Sequence, residues 1–153
     1  MRNKYLSFAK NLGISAVAGL AAGAGAASLS SLVTDNHTIT AVSSTIAEYA
    51  AAYSVFLPLH VRDNRDIYTR EDGKFNWKLF VGDQIKLGGG FFVLDVAYLI
   101  GRPYLAKEFL QSGAPPAQAS LYADLISYPS LFLAAFPLAK IIGIIRSENP
   151  ASK

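Results

Sequence analysis

Long apolar segments alternate with short polar ones along the chain, and this pattern predicts membrane-spanning helices. Four apolar segments cover residues 6–33, 39–60, 79–101 and 119–145. A helix needs roughly 20 apolar residues to cross the ~30 Å hydrocarbon core of a bilayer, and each segment is long enough. The pattern therefore predicts an all-α integral membrane bundle of four transmembrane helices, which forms a single membrane domain over residues 1–153.

The first apolar segment is rich in small residues. Gly19 and Gly23 have the GxxxG spacing, which lets another helix approach to backbone distance. An alternative interpretation is a cleaved secretory signal peptide, because Arg2 and Lys4 precede the apolar run and residues 24–26 fit a small-residue cleavage site. The apolar run continues well past that site, which favours a transmembrane helix.

Basic residues are distributed unequally between the two predicted sides of the membrane. With four spans, 12 of the 14 Lys and Arg residues fall on one side, and Arg102 and Lys107 fall on the other. Cytoplasmic segments of membrane proteins are enriched in Lys and Arg. The count therefore predicts a multi-pass protein of the cell membrane, with both termini and the loop 61–78 in the cytoplasm and the loop 102–118 outside.

Composition excludes several classes of function. The chain has no Cys, so thiolate catalysis and cysteine-ligated metal sites are excluded. Of its residues, 52% are hydrophobic and 16% are charged, which is a membrane composition. His37 and His60 each stand alone at a segment end, and no nucleophile with a neighbouring base is present. Basic residues flank the apolar segments, so we expect no nucleic-acid partner. We also expect no catalytic residue, cofactor or metal, and a non-enzymatic protein is favoured.

Three acidic residues inside the predicted spans are the main indication of function: Glu48, Asp95 and Asp124. Each costs about 3 kcal/mol at a helix centre unless it is paired, protonated or hydrated. At 1.5 Å per residue they lie roughly 8–13 Å from the outer ends of their segments, so we expect them in the outer half of the membrane. Arg102 follows Asp95 by two helical turns on roughly the same face, so it is placed either to close over the cluster or to pair with Asp124.

Tyrosines accompany these acidic residues in the sequence. Aromatic rings with polar tips beside carboxylates suit a cation, a sugar or a lipid head group. The sequence thus predicts a ligand-binding pocket formed by Glu48, Asp95, Asp124, Arg102, Tyr49 and Tyr98. The alternative is structural: an outer aromatic belt consists of Tyr98, Tyr104 and Tyr122. The acidic residues then pair with Arg102 or with each other to fix helix packing.

Two hypotheses about function follow from this pattern. The first is a small transporter or flippase-like protein whose pocket binds a cation, a proton or a polar head group. The second is a non-catalytic accessory or structural subunit of a larger membrane complex, which packs through its first helix. Expected partners are membrane lipids, together with further copies of the chain or other membrane subunits. Four helices are too few to enclose a wide pore, so a transporter is expected to oligomerise.

Some residues resemble those of GtrA-like four-helix proteins, a family associated with moving lipid-linked sugars. They are Phe80-Val81-Gly82, followed by Leu94-Asp95, together with the charged loop after the second segment. The resemblance covers topology more than residues, because the family's Asn-Arg-x-Trp-x-Phe element is missing and His60-Val61-Arg62 stands near that place. It therefore implies a membrane topology and carries over no functional residue.

Overall fold

The computed structural model describes residues 4–141 and residue 143, and these residues form an all-α protein, as predicted. Four long helices and one short helix follow each other along the chain: α1 (Lys4–Ser31), α2 (His37–Asp63), α3 (Arg65–Tyr68), α4 (Trp77–Gln111) and α5 (Pro116–Ile141). The predicted end of the last segment at residue 145, and the basic residues Arg2, Arg146 and Lys153, lie outside the described residues.

Short turns make neighbouring long helices antiparallel. Residues 32–36 join α1 to α2, and residues 112–115 join α4 to α5. The side chain of Asn36 accepts hydrogen bonds from the backbone N–H groups of Thr38 (3.0 Å) and Ile39 (3.3 Å). This cap satisfies N–H groups that the first turn of a helix leaves unpaired, so α2 begins directly after the turn.

One face of α1 packs along α2 through small residues. Every fourth residue on this face is buried: Asn11, Ser15, Gly19, Gly23 and Ala27. Residues four apart share one face of a helix, so α2 meets a surface with few protruding side chains. A Cβ atom placed on Gly19 would lie 3.1 Å from Cγ of Glu48, and one on Gly23 would lie 3.1 Å from Cβ of Glu48. The close approach predicted from the GxxxG spacing is confirmed.

The third long helix, α4, is longer than predicted. The sequence predicted a helical segment over residues 79–101 and an outer loop over residues 102–118. The helix instead begins at Trp77 and continues through Pro103 to Gln111. Arg102 therefore lies inside a helix, and its predicted place in an outer loop was wrong.

Packing beyond Pro103 explains why α4 continues. A proline removes one backbone N–H donor from a helix, and neighbouring structure can offset that loss. Ala106 and Leu110, on the far side of Pro103, belong to a buried cluster that also contains Ala41, Ala119 and Ala123. This cluster brings the last turns of α4 against α2 and α5.

The predicted loop 61–78 is partly helical. α2 extends to Asp63, α3 adds one short helical turn, and α4 begins near the predicted end of the loop. An isolated bridge pairs Thr69 with Phe75 and closes the turn between them. The loop that remains between α3 and α4 thus covers residues 69–76.

A buried carboxylate ties the start of α1 to the end of α2. The side chain of Asp63 has no solvent exposure, and it forms ion pairs with Lys10 at 2.9 Å and Arg62 at 3.3 Å. Burial opposes ionisation, but hydrogen bonds from Lys10, Asn11 and Arg62 outweigh it and lower the pKa of Asp63 to about 2. Asp63 is therefore ionised at neutral pH and holds the two helices together.

Three of the described helices are long and apolar enough to cross a membrane: Tyr5–Ser31, Trp77–Gln111 and Pro116–Ile141. These three helices indicate a membrane protein. α2 has 27 residues, which is sufficient length, but it is not one of the three. The polar side chains of Ser44, Thr45 and Glu48 lower its apolar content, and all three are buried against other helices.

Candidate functional site

Arg102 on α4 is fully buried, and each of its five N–H groups has an acceptor. Nε donates to Oδ1 of Asp124 at 2.8 Å, and Nη2 donates to Oδ2 of the same carboxylate at 3.2 Å. The other donors reach hydroxyl oxygens of Ser44 (2.7 Å), Thr45 (2.9 Å) and Ser120 (2.6 Å). A buried guanidinium is tolerated when its donors are satisfied in this way.

The acceptors come from matching positions on α2 and α5. Ser44 precedes Glu48 by one helical turn, and Ser120 precedes Asp124 by the same spacing. Residues four apart share a helix face, so each helix presents a hydroxyl and a carboxylate to the guanidinium, and α2 adds the hydroxyl of Thr45. The Ser44 hydroxyl donates to the carbonyl of Ala41 at 2.9 Å, which leaves its oxygen free to accept from Arg102.

Glu48 is the second carboxylate of this network. Its Oε2 lies 2.7 Å from Nε of Arg102, but the single N–H of Nε is donated to Asp124. The contact is therefore an ion pair without a hydrogen bond. Oε1 of Glu48 accepts hydrogen bonds from the hydroxyls of Tyr98 and Tyr128, the latter at 2.5 Å. Two acidic groups thus face one guanidinium, and the side chains are at most 1% exposed.

These residues lie farther from the ends of their helices than the sequence predicted. At 1.5 Å per residue, Glu48, Arg102 and Asp124 are about 12–17 Å from the helix ends that border the turns 32–36 and 112–115. The predicted values were smaller because the helices extend beyond the predicted segment limits. The network therefore sits well inside the bundle.

A cavity of ≈ 140 Å³ lies beside the network, among α1, α2, α4 and α5. Its lining includes two carboxylates, those of Glu48 and Asp95, and the rings of Phe8, Tyr49, Tyr53, Phe56, Phe91, Tyr98 and Tyr128. The rest of the lining is small or aliphatic, except for the hydroxyl of Ser15. No Lys, Arg or His is among the described residues that line the cavity, so the charged groups there are all acidic.

Asp95 lies at this cavity and outside the network. The hydroxyl group of Tyr49 is placed to donate a hydrogen bond to its carboxyl group. Tyr53 lines the same cavity, and the two tyrosine rings stack with centroids 5.9 Å apart. Within the described part of the chain, no basic side chain forms an ion pair with Asp95. Asp95 is thus half-buried, and none of the described basic residues is its partner.

The structure divides the predicted pocket into two parts. Four predicted residues meet in the buried network: Glu48, Asp124, Arg102 and Tyr98. Tyr49 and Asp95 form a second group, and the cavity connects the two parts because Glu48 and Tyr98 also line it. Arg102 and Asp124 do not line the cavity, so they are placed to act through Glu48 and Tyr98.

The predicted site omits Ser120 and Tyr128. Both have a signal in the sequence, because they lie four residues before and four residues after Asp124 and so share its helix face. The same spacing relates Ser44 to Glu48. The positions four residues before and after each intramembrane acidic residue include both of the omitted side chains.

A second buried polar cluster lies near the connection between α2 and α4. Nε2 of His60 and the hydroxyl of Tyr68 are 3.1 Å apart, and that hydroxyl donates to Oδ2 of Asp83 at 3.2 Å. Nζ of Lys86 lies 3.7 Å from Oδ1 of Asp83. These contacts join α3 to both long helices, so we assign the cluster a structural role.

No protein-family model matches this chain, and no curated protein and no solved structure matches it either. Membership of the GtrA-like family is therefore not shown.

Proposed function

We propose that the protein crosses the membrane with four helices, α1, α2, α4 and α5, and that it binds a small organic cation in the cavity among them and carries it across. The observation that carries this proposal is the cavity lining, in which Glu48 and Asp95 stand among aromatic rings without a basic side chain. Ring faces stabilise a cation by about 0.5–2 kcal/mol each. The apolar remainder of the lining suits the apolar body of an organic cation better than a hydrated metal ion.

The buried network favours a cation over an anion. Arg102 donates all of its N–H groups to residues of this chain, so none is free for a phosphate, a carboxylate or a sugar oxygen. Glu48 and Asp124 outnumber Arg102 in formal charge, and the network adds no net positive field to the cavity. An anionic head group there would face two carboxylates and no available donor from arginine.

The depth of Asp95 supports transport. Asp95 lies within one residue of the midpoint of α4, about 24 Å from the end of the helix at Gln111. Secondary transporters commonly hold their substrates near the midplane of the bilayer. A cation bound beside Asp95 is therefore at a similar distance from both ends of α4.

Topology is tested with single cysteines, because the chain has none of its own. In intact cells, Asp35→Cys and Gln111→Cys are expected to react with a membrane-impermeant maleimide, whereas Glu71→Cys reacts only after permeabilisation. All three positions are exposed. The reason is the distribution of basic residues, which favours a cytoplasmic loop between α3 and α4. Since Arg102 is buried in α4, Lys107 alone remains basic on the proposed outer side.

Two results would contradict this topology. Labelling of Glu71→Cys in intact cells would place the charged loop outside. Labelling of Asp35→Cys and Glu71→Cys from the same side would show that α2 does not cross the membrane, which would leave the three apolar helices as the spans.

Cation binding is tested with phenyltrimethylammonium, and benzenesulfonate serves as a probe with a similar ring and the opposite charge. Isothermal titration of the purified protein in detergent micelles is expected to show binding of the first probe only. Gly88→Phe is expected to weaken that binding roughly tenfold or more, which corresponds to at least about 1.4 kcal/mol, because the new ring occupies space at the cavity.

Gly89→Phe is the matched control for Gly88→Phe. At both positions an added Cβ meets no atom within 4 Å, so neither variant is expected to disturb the fold. Gly88 lines the cavity and Gly89 does not. Equal binding of the two probes by the native protein, or equal losses in the two variants, would contradict a cation site in this cavity.

A second candidate function is that of an accessory subunit in a larger membrane complex. The observation in its favour is that the Arg102 network joins α2, α4 and α5 and is satisfied without any ligand. In that case the native protein binds neither probe, and neutralising Glu48 or Asp124 reduces recovery of a partner subunit.

For the transporter we infer an assembly of several copies in membrane lipid, since one bundle is small.

A further inference from the structure

Asp95 differs from the other intramembrane acidic residues in its surroundings, and this difference bears on how a cation site works. Glu48 and Asp124 both contact the guanidinium of Arg102, at 2.7 Å and 2.8 Å. Within the described residues Asp95 has no basic partner, and its neighbours are the hydroxyl groups of Tyr49 and Tyr53. An isolated carboxylate is costly in a membrane interior, so a positive charge from outside the chain must neutralise it.

Glu48 cannot take that role while the network is intact. Its Oε2 contacts Arg102, and its Oε1 accepts from both Tyr98 and Tyr128. With 1% exposure it has little surface to offer a ligand. Asp95 is half-buried at the cavity, so an incoming cation reaches its carboxyl group without displacing a basic side chain.

We propose that Asp95 is the exchange group of the cavity, which holds a proton when the cavity is empty and the organic cation when it is occupied. The inference rests on the proposed cation-binding function. On binding, the O–H bond of the carboxyl group breaks, the proton passes to water, and the carboxylate pairs with the cation. No oxidant or reductant takes part, and the charge of the site is the same before and after exchange.

The groups that face Asp95 are consistent with exchange at this residue alone. α2 contributes Glu48, Tyr49 and Tyr53, α4 itself contributes Tyr98, and α5 contributes Tyr128. The described residues of α1 that line the cavity carry no titratable group. α3 meets α4 at the distant Asp83, through the hydroxyl of Tyr68. A coupled exchange of this kind makes cation binding stronger as pH rises, because protons and cations compete for one carboxylate.

Proton release provides a direct test. Phenyltrimethylammonium is added in saturating amounts to the purified protein in weakly buffered detergent solution, and a pH-indicator dye reports the protons released. The native protein is expected to release about half a proton per bound cation at the pH where the affinity is half of its high-pH value, and about one proton per cation at lower pH. Asp95→Asn is expected to release none, and Asp95→Glu is expected to retain release because it keeps the carboxyl group.

Glu108→Gln is the control, since it removes an exposed carboxyl group from the outer part of the same helix, away from the cavity. It is expected to release protons as the native protein does. Binding by the native protein without release would overturn the exchange and leave cation binding intact. Release that persists in Asp95→Asn, or that disappears in Glu48→Gln alone, would assign it to the network. Absence of binding by the native protein would overturn both proposals.

Discussion

Replacing Gly19 and Gly23 together by Ile is expected to separate α1 from α2 and to leave little folded protein. A Cβ atom at these positions already lies 3.1–3.3 Å from atoms of Glu48, Ala52 and Arg102, and Ile adds further carbon atoms beyond Cβ. Overpacking of this kind costs about 1–3 kcal/mol per site. The midpoint of unfolding by dodecyl sulfate in detergent micelles, together with recovery by size-exclusion chromatography, measures the effect.

The same helix offers a matched control for the double substitution. Gly13 and Gly25 have no atom within 4 Å of an added Cβ, so Gly13→Ile combined with Gly25→Ile adds the same atoms to other faces of α1. This variant is expected to unfold close to the native midpoint. Similar losses in the two double variants would mean that α1 does not pack through its small residues.

Replacing Arg102 by Met is expected to cause the largest loss of stability from any single substitution in the buried network. The change leaves the carboxyl groups of Glu48 and Asp124 buried without their cation. It also removes the N–H groups that donate hydrogen bonds to the hydroxyl oxygens of Ser44, Thr45 and Ser120. Breaking a buried ion pair on one side costs about 3–5 kcal/mol. Unfolding by dodecyl sulfate again provides the measurement.

Removing the whole charged group tests the reason for that loss. Arg102→Met combined with Glu48→Gln and Asp124→Asn leaves no uncompensated charge, and replacement of complete buried ion pairs is often close to neutral. The triple variant is therefore expected to recover most of the stability that the single variant loses. A triple variant as unstable as Arg102→Met would show that lost packing, and not unpaired charge, causes the defect.

The helices were predictable from the sequence, and their ends were less so. Runs of apolar residues predict where a helix crosses a bilayer, but they do not show where it continues beyond it. Pro103 and the basic residue before it favoured a loop at the end of the third segment. The structure continues α4 to Gln111, because Ala106 and Leu110 pack against helices that are distant in sequence.

The candidate site was also predictable only in part, because its contacts depend on helices that are distant in sequence. The cost of intramembrane charge singled out Glu48, Asp95 and Asp124, and helical spacing placed Arg102 within reach of them. Which carboxylates Arg102 contacts depends on the rotation of α2 and α5 about their axes, and helix periodicity in one segment does not determine it. Asp95 was therefore grouped with the network, whereas the structure places it beside Tyr49.

The polarity of α2 shows a further limit. Its small and polar residues weaken the signal of a membrane span, and by length and composition three helices among the described residues qualify as spans. Those same residues, Ser44, Thr45 and Glu48, are buried where they contact Arg102. Mean hydropathy therefore fails to identify a membrane helix whose polar residues face the interior of the bundle.

The most direct measurement is a crystal structure with 4-bromophenyltrimethylammonium, in which anomalous scattering locates the bromine atom. The account predicts a bromine peak in the cavity among α1, α2, α4 and α5, with the ammonium group beside the carboxylate of Asp95 and against the rings of Tyr49 and Tyr53. A cavity that holds a lipid or detergent chain, or a bromine peak only on the outer surface of the helices, would contradict the proposal that this cavity binds organic cations.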